Sequence, residues 1–183
     1  MELLNLDGEL KTAKDAATAA GKLLYENKKD LNKATFTSSK DIKLEADVSA
    51  ERLIKAILEK ESIYPILAEE SGKSVDDLGS TFWVVDPLDG TANYSRDIPI
   101  CCVSISLIID LEPVMGVIYD FNNKDLYEGT IFRPASLNGQ ALNVSSISKP
   151  SDGILVTGLP NNTDYSDLAM MKMIKDFQDW KKV

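Results

Sequence analysis

The apolar run Thr81-Phe82-Trp83-Val84-Val85 ends in Asp86-Pro87-Leu88-Asp89-Gly90-Thr91. That hexapeptide restricts the chain more than any other stretch. Strand-forming residues lead into two carboxylates, a proline of fixed φ, a glycine and a hydroxyl. A tight turn uses one Asp and one Gly, and on residue chemistry alone a turn stays open as the competing reading. Two acids three apart around a proline, followed at once by Gly-Thr, suit a hard cation: Mg²⁺ takes oxygen ligands and keeps several waters. The segment predicts a strand that delivers carboxylates to a metal site at its C-terminal end.

Composition narrows the chemistry around it. The 183 residues contain no histidine, which removes Ser-His and Cys-His nucleophiles and His-rich zinc sites. Hydrolysis then has to use carboxylates, hydroxyls, Lys or water activated by a metal. A net charge of −9 argues against a nucleic-acid backbone as main partner, since such binding needs clustered Lys and Arg. No run approaches ~18 consecutive apolar residues, and Met1-Glu2-Leu3-Leu4-Asn5 lacks a basic region followed by an apolar core. No membrane partner and a cytoplasmic location are expected. Cys101 and Cys102 are neighbours in an apolar run and read as reduced core residues on opposite strand faces.

Along the chain, the spacing of Leu3, Leu6, Leu10, Ala13, Ala17, Ala20 and Leu24 predicts a helix over 3–29, with a short coiled coil as the alternative. Residues 32–43 are polar and aperiodic and read as a mobile surface loop. A second helix is expected over Asp47–Glu61, with Asp47 placed as its N-cap. Residues 63–68 read as a short strand leading into Glu69-Glu70, of which one acid is expected to turn inward. Strands at 100–109, 114–119 and 125–132 with short turns predict an antiparallel meander, followed by a short strand at 141–144. Ser145–Gly153, rich in Ser, Pro and Gly, marks a boundary between domains at 1–147 and 148–183. Beyond it come a strand at 154–158 and a helix at 164–180. The fold class is α+β.

Glu69, Asp86, Asp89 and the Leu88 carbonyl are the candidate ligands. Crowded carboxylates repel one another until a cation joins them. Seventeen residues separate Glu69 from Asp86, so only Asp86 and Asp89 are neighbours by spacing. Gly90 lets the backbone approach a phosphate, and Thr91 is placed to orient an attacking water.

Trp83-Val84-Val85-Asp86-Pro87-Leu88-Asp89-Gly90-Thr91-Ala92-Asn93-Tyr94 resembles the D-P-[IL]-D-G-T-x-N-[FY] motif of the inositol monophosphatase family. Ala68-Glu69-Glu70-Ser71 is similar to that family's G-E-E-S step. The segment from Asp41 to Asp47 is similar to its D-x-V-T-x-x-D segment, and Phe132 to Gly139 to its later G-x-x-x-N-G turn. The resemblance implies a layered α-β-α-β sugar-phosphatase fold in which two N-terminal helices and an antiparallel sheet precede an incomplete αβ region. It implies a Mg²⁺-dependent, lithium-sensitive homodimer that hydrolyses a small polyol or sugar phosphate, inositol monophosphate first, with two or three Mg²⁺ per complete site. Glu69, Asp86 and the Leu88 carbonyl would hold one metal. Asp86 and Asp89 would hold part of a second. Thr91 with Asp47 would activate the water, and the N–H groups of Gly90 and Thr91 would receive the phosphate. Fructose-1,6-bisphosphate and phosphoadenosine phosphate are the alternative substrates. Ala92-Asn93 after Asp-Gly-Thr favours the inositol and fructose branches over the phosphoadenosine branch, which tends to carry Lys-Glu there. A catalytically weak metal-binding protein acting through association is the alternative of another class.

Two departures qualify the resemblance. Leu44 stands where the family has Thr, and the family's later W-D-x-x-A motif has no counterpart: Trp180 is preceded by Asp179 and followed by Lys181. The expectation is a fragment, with apolar surface left open. The isolated 183 residues are expected to associate and to hydrolyse phosphate esters far more slowly than a longer chain. Light scattering and phosphate release check this, and a monodisperse monomer with full activity would refute it.

Overall fold

The computed structural model describes residues 6–37, 42–158, 164 and 166–183. Leu3 of the predicted first helix, Asp41 of the family-like segment and Tyr165 of the predicted last helix lie outside them. The chain divides into two compact units, Met1–Leu142 and Asn143–Val183.

The first unit begins with helix α1 (Leu6–Glu26) and the short α2 (Lys28–Leu31). Strands β1 (Ala34–Thr37) and β2 (Ile42–Leu44) lead into helix α3 (Glu45–Glu61). Then come β3 (Ile66–Ala68), β4 (Gly72–Lys73), β5 (Thr81–Asp89) and the short helix α4 (Thr91–Ser95). Strands β6 (Cys102–Ile109), β7 (Glu112–Asp120) and β8 (Asp125–Thr130) follow, then β9 (Arg133–Leu137) and β10 (Gln140–Ala141).

Strands β3 to β10 form one eight-stranded sheet in the order β10-β9-β8-β7-β6-β5-β3-β4. Helix α1 packs on β6 and β7, α3 packs on β5, and the two helices pack on each other. Small residues make this possible: Ala13, Ala16, Ala17 and Ala20 put no side-chain bulk between α1 and its neighbours, and all are fully buried. Opposite them, Trp83, Val85, Val103, Ile105, Leu107 and Val117 fill the sheet's inner face. Along β6 these alternate with the half-buried Ser104 and Ser106, the period-2 pattern of a sheet with one core face.

The expected meander is present as β6-β7-β8, all antiparallel. The sheet is not antiparallel throughout, however. β3 pairs in parallel with β5, aligning Ile66 with Trp83, Leu67 with Val84 and Ala68 with Val85. The chain reverses through β4, which lies on the outer side of β3, and then crosses back to β3's other edge. Non-local pairing of this kind leaves no mark in a short apolar run.

Within the expected loop at 32–43, of which residues 38–41 lie outside the described residues, β1 and β2 instead pair as an antiparallel ribbon. Ala34, Thr35 and Phe36 of β1 are all exposed, so no buried face imposes an alternating pattern on that strand. The predicted strand at 141–144 is instead the two-residue β10, and β9 covers residues to which the sequence assigned no strand.

In the second unit, the expected strand at 154–158 reduces to a single bridge between Ile154 and Lys182. Helix α5 (Leu168–Asp176) is shorter than the predicted 164–180 and passes into a 3₁₀ turn at Phe177–Asp179. Asp167 sets its start by accepting the N–H of Ala169 at 2.7 Å, a side-chain N-cap. None of the described helices is long and apolar enough to cross a membrane.

Gly21 marks a tight point of the α1 packing. A Cβ there would lie 2.5 Å from the Tyr119 ring and 2.9 Å from the Phe121 Cβ. Ala gains about 1 kcal/mol of helix propensity over Gly, and overpacking costs about 1–3 kcal/mol. Gly21→Ala is therefore expected to destabilise the protein by about 1 kcal/mol net in urea denaturation, although the same change stabilises an isolated helix.

Candidate metal and water-activating site

Three pieces of chain meet at one end of the sheet. The first is the β3–β5 pair. Because the strands are parallel and Ala68 aligns with Val85, the next residues, Glu69 and Asp86, emerge side by side. The Glu69 N–H donates to the Val85 carbonyl at 3.1 Å and extends the pairing by one step. The two carboxyl groups lie within hydrogen-bonding reach of each other. Partial removal from water, and then the adjoining Asp86, push the Glu69 carboxyl up to about 7. Asp86 is raised as well, first by desolvation, while its bond with Glu69 pulls the other way. A pair of acids this close holds a proton where an isolated acid would not.

The second piece is the end of β5. Asp86 aligns with Ser104 on β6, and Asp89 aligns with Cys102. Two residues on β5, Pro87 and Leu88, thus stand opposite one on β6, Val103, which defines a bulge. In a regular strand, residues three apart face opposite sides. The extra residue restores parity, so Asp86 and Asp89 fall on the same side of the sheet. Proline suits the position because a bulge does not require its missing N–H. The Leu88 N–H turns back to Asp86 Oδ1 at 3.1 Å, and the Leu88 side chain is buried. Asp89 is exposed, and the Cys102 thiol faces its Oδ2 at 3.8 Å. Cys101 and Cys102 are both free. Burial, then Asp89, push the Cys102 thiol up to about 12, so Cys102 is a protonated neighbour of the site and not a core residue as expected.

The third piece is α3. The helix begins at Glu45, which moves Asp47 from the expected N-cap to the third helical position. Its Oδ2 accepts the Leu44 N–H at 2.7 Å, the half of a capping box that the acid supplies. Leu44 has no acceptor to complete the other half and instead fills the core, 1% exposed. The other oxygen, Oδ1, accepts the Thr91 hydroxyl at 2.8 Å, across forty-four residues. The hydroxyl also lies 3.1 Å from the Leu88 carbonyl. Burial raises the Asp47 carboxyl, against the pull of its bonds from Leu44 and Thr91.

Gly90 joins β5 to α4 at φ 89°. A Cβ there would sit 2.7 Å from the Ile100 carbonyl oxygen, so glycine is needed for both conformation and space. Two neighbours to which sequence reasoning gave no role hold α4 in place. Asn93 Nδ2 donates to the Ile100 carbonyl at 2.7 Å, and the fully buried Tyr94 donates its hydroxyl to the Leu24 carbonyl of α1 at 2.8 Å.

The structure thus brings Glu69 to Asp86 and Thr91 to Asp47, and puts Asp89 on the Asp86 side of the sheet. Among the described residues, no group of three or more His, Cys, Asp or Glu is drawn close enough to hold an ion together. The donor chemistry nevertheless fits a hard cation. Carboxylates and one carbonyl are its only members, and the crowding that raises Glu69 is the repulsion that a cation removes.

Glu51 was not anticipated. It lies one turn after Asp47, 5% exposed, and its carboxylate accepts the N–H groups of Glu70 at 2.7 Å and Ser71 at 3.1 Å. The available signal was an acid on the apolar face of α3, four residues after Asp47 and one after Ala50.

Comparison with known proteins identifies the family and the fold. The pattern of the inositol monophosphatase family matches residues 5–174. An inositol-1-monophosphatase of Synechocystis is 37% identical over 119 residues, 64% of this chain and 42% of the relative. An inositol monophosphatase of Dictyostelium discoideum is 32% identical over 183 residues, 98% of this chain and 66% of the relative. The crystal structure of the extragenic suppressor protein suhB from Bartonella henselae superposes with a TM-score of 0.86 at 26% identity, covering 95% of this chain and 68% of that one. The chain spans 42% and 66% of the length of the two curated relatives.

The space around Gly90 yields a measurable contrast. Gly139 has a similar φ of 79° with nothing within 4 Å of a built Cβ. Gly139→Ala is expected to cost about 1 kcal/mol of backbone strain, and Gly90→Ala about 1–3 kcal/mol more for the clash with Ile100. Thermal denaturation of both variants reads the difference. Taken together, the match over nearly the whole sequence and the shared fold place this chain in the inositol monophosphatase family.

Proposed function

We propose that this chain carries the metal-binding and water-activating half of a Mg²⁺-dependent phosphomonoesterase whose substrate is a small polyol phosphate, inositol monophosphate first. The single observation that carries this reading is the convergence, at one end of the sheet, of the Glu69–Asp86 pair with the Thr91–Asp47 hydrogen bond. Proteins of this family generally use metal ions. Glu69, Asp86 and the Leu88 carbonyl would hold the first cation, and Asp86 with Asp89 would contribute to a second. When bound, such a cation acidifies water and neutralises charge on phosphate and leaving-group oxygens.

The residues of this chain do the rest. Thr91 has one proton and two lone pairs on its oxygen. With the proton directed to Asp47 Oδ1, a lone pair is free to accept a proton from an attacking water and aim it at phosphorus. Asp47 is suited to take up the Thr91 proton, because burial makes its carboxylate a stronger base than an exposed one. The N–H groups of Gly90 and Thr91 precede the first hydrogen-bonded turn of α4 and would face the phosphate. Glycine at position 90 permits the left-handed turn that orients them, and its missing Cβ faces the Ile100 carbonyl.

Fructose-1,6-bisphosphate is the alternative substrate, on the same Ala92-Asn93 pattern after Asp-Gly-Thr. The test is phosphate release from inositol phosphate, fructose bisphosphate and phosphoadenosine phosphate, with and without Mg²⁺, for wild type and Asp89→Asn. Mg²⁺-dependent release from the first, falling about 10–100-fold in the variant, is expected. Equal rates for the two proteins would sink the metal assignment.

A further inference from the structure

Glu69 stands at an exposed strand end. A side chain in such a place moves with the loop that follows it, unless that loop is held. Here it is held from α3. Glu51 is a carboxylate almost completely removed from solvent, and its two oxygens take the backbone N–H groups of the two residues after Glu69. Each bond is charge-assisted, and together they satisfy two donors that the end of β3 leaves without strand partners. Lys55, one turn further along the same face of α3, donates to Ser71 Oγ at 2.8 Å. Lys43, on β2 just before the helix, pairs with the Glu70 carboxylate at 2.8 Å. Lys43 thereby offsets part of the Glu70 charge, which still acts on Glu69.

Asp47 and Glu51 are four residues apart and occupy one face of α3. Asp47 accepts the Thr91 hydroxyl, and Glu51 grips the turn that carries Glu69. One rigid turn of helix therefore spaces the water-orienting pair from the first carboxylate of the Glu69–Asp86 pair. We infer that Glu51 is a positioning residue: it fixes the Glu69–Ser71 turn against α3 and so sets the geometry in which Glu69 meets the cation. The inference rests on the proposed role of Glu69 as a metal ligand.

The test uses the 183-residue chain and its Glu51→Ala, Glu51→Gln and Leu58→Ala variants. Leu58 is fully buried two turns beyond Glu51 on α3, so Leu58→Ala destabilises the helix packing without touching the turn. Glu51→Gln keeps the shape and one carbonyl acceptor but puts an NH₂ against the second N–H. Two readouts are taken: Mg²⁺ half-saturation from the Mg²⁺-dependent thermal shift, and amide hydrogen exchange at residues 70 and 71. Glu51→Ala is expected to raise the Mg²⁺ half-saturation about 10–100-fold and to speed exchange at both amides. Glu51→Gln should fall between wild type and Glu51→Ala. Leu58→Ala should lower the melting temperature and leave the half-saturation unchanged. Wild-type half-saturation in both Glu51 variants would overturn the inference, as would an equal rise in Leu58→Ala. A wild-type chain with no Mg²⁺-dependent shift would remove the metal reading itself, and the inference would fall with it.

Discussion

The parallel register of β3 and β5 is the constraint on which the rest of the site depends. Ala68 aligned with Val85 places Glu69 beside Asp86 although seventeen residues separate them. An antiparallel pair would have sent the two acids to opposite ends of the sheet. The alignment is maintained from below by the core: Ile66 and Ala68 on β3, and Trp83 and Val85 on β5, all turn to the buried face. A slip of one residue would move those side chains to the other side of the sheet. Apolar burial thus sets the position of two carboxylates that contribute nothing to it. Their proximity in turn works against folding of the metal-free chain, because both acids are shifted toward the protonated form. Such a conflict between stability and local chemistry is characteristic of functional sites.

A second device acts within β5. The bulge at Pro87-Leu88 converts a spacing of three into a common face for Asp86 and Asp89. It also directs the Leu88 carbonyl toward Thr91 and hands the chain to Gly90, whose left-handed conformation starts α4. Helix α3 supplies the third device. Its first two turns carry Asp47 and Glu51, the only buried acids on the inner faces of the first unit's described residues. Each is satisfied by backbone or hydroxyl donors, as a buried carboxylate must be. The arrangement resembles a clamp: α3 holds Thr91 with one acid and the Glu69–Ser71 turn with the next.

Elements with a strong period or strong punctuation were legible in advance. The alanine stripe identified α1, the apolar spacing identified α3, and the three runs with short turns identified β6, β7 and β8. The elements that were missed are short or weakly patterned. Ala34, Thr35 and Phe36 of β1 are exposed and β2 turns its last residue, Leu44, into the core, β4 and β10 are two residues each, and among the described residues the apolar stretch at Ile154 makes a single bridge, to Lys182. Cys102 was misplaced because an apolar run does not reveal that one of its residues lies beside a carboxylate. Glu51 was missed because a single acid on an apolar helical face ordinarily reads as solvated, and only its distant backbone partners explain it.

By itself, the sequence determined the type of chemistry. An absence of histidine, a local Asp-Pro-Leu-Asp-Gly-Thr segment and a hydroxyl next to a glycine are covalent facts, and they remove imidazole chemistry and favour oxygen donors whatever the fold. Tertiary structure alone decided which of those oxygens meet. Spacing along a chain fixes distances only over a few residues. The pairing of Glu69 with Asp86, the common face of Asp86 and Asp89, and the bond from Thr91 to Asp47 each depend on strand register or helix packing, which are set by the burial of side chains elsewhere. The Asp-Pro-Leu-Asp segment could be read as a turn or as a strand end. The register of β5 against β3 and β6 makes it a strand end, because only there do its backbone groups and its apolar neighbours find partners at once.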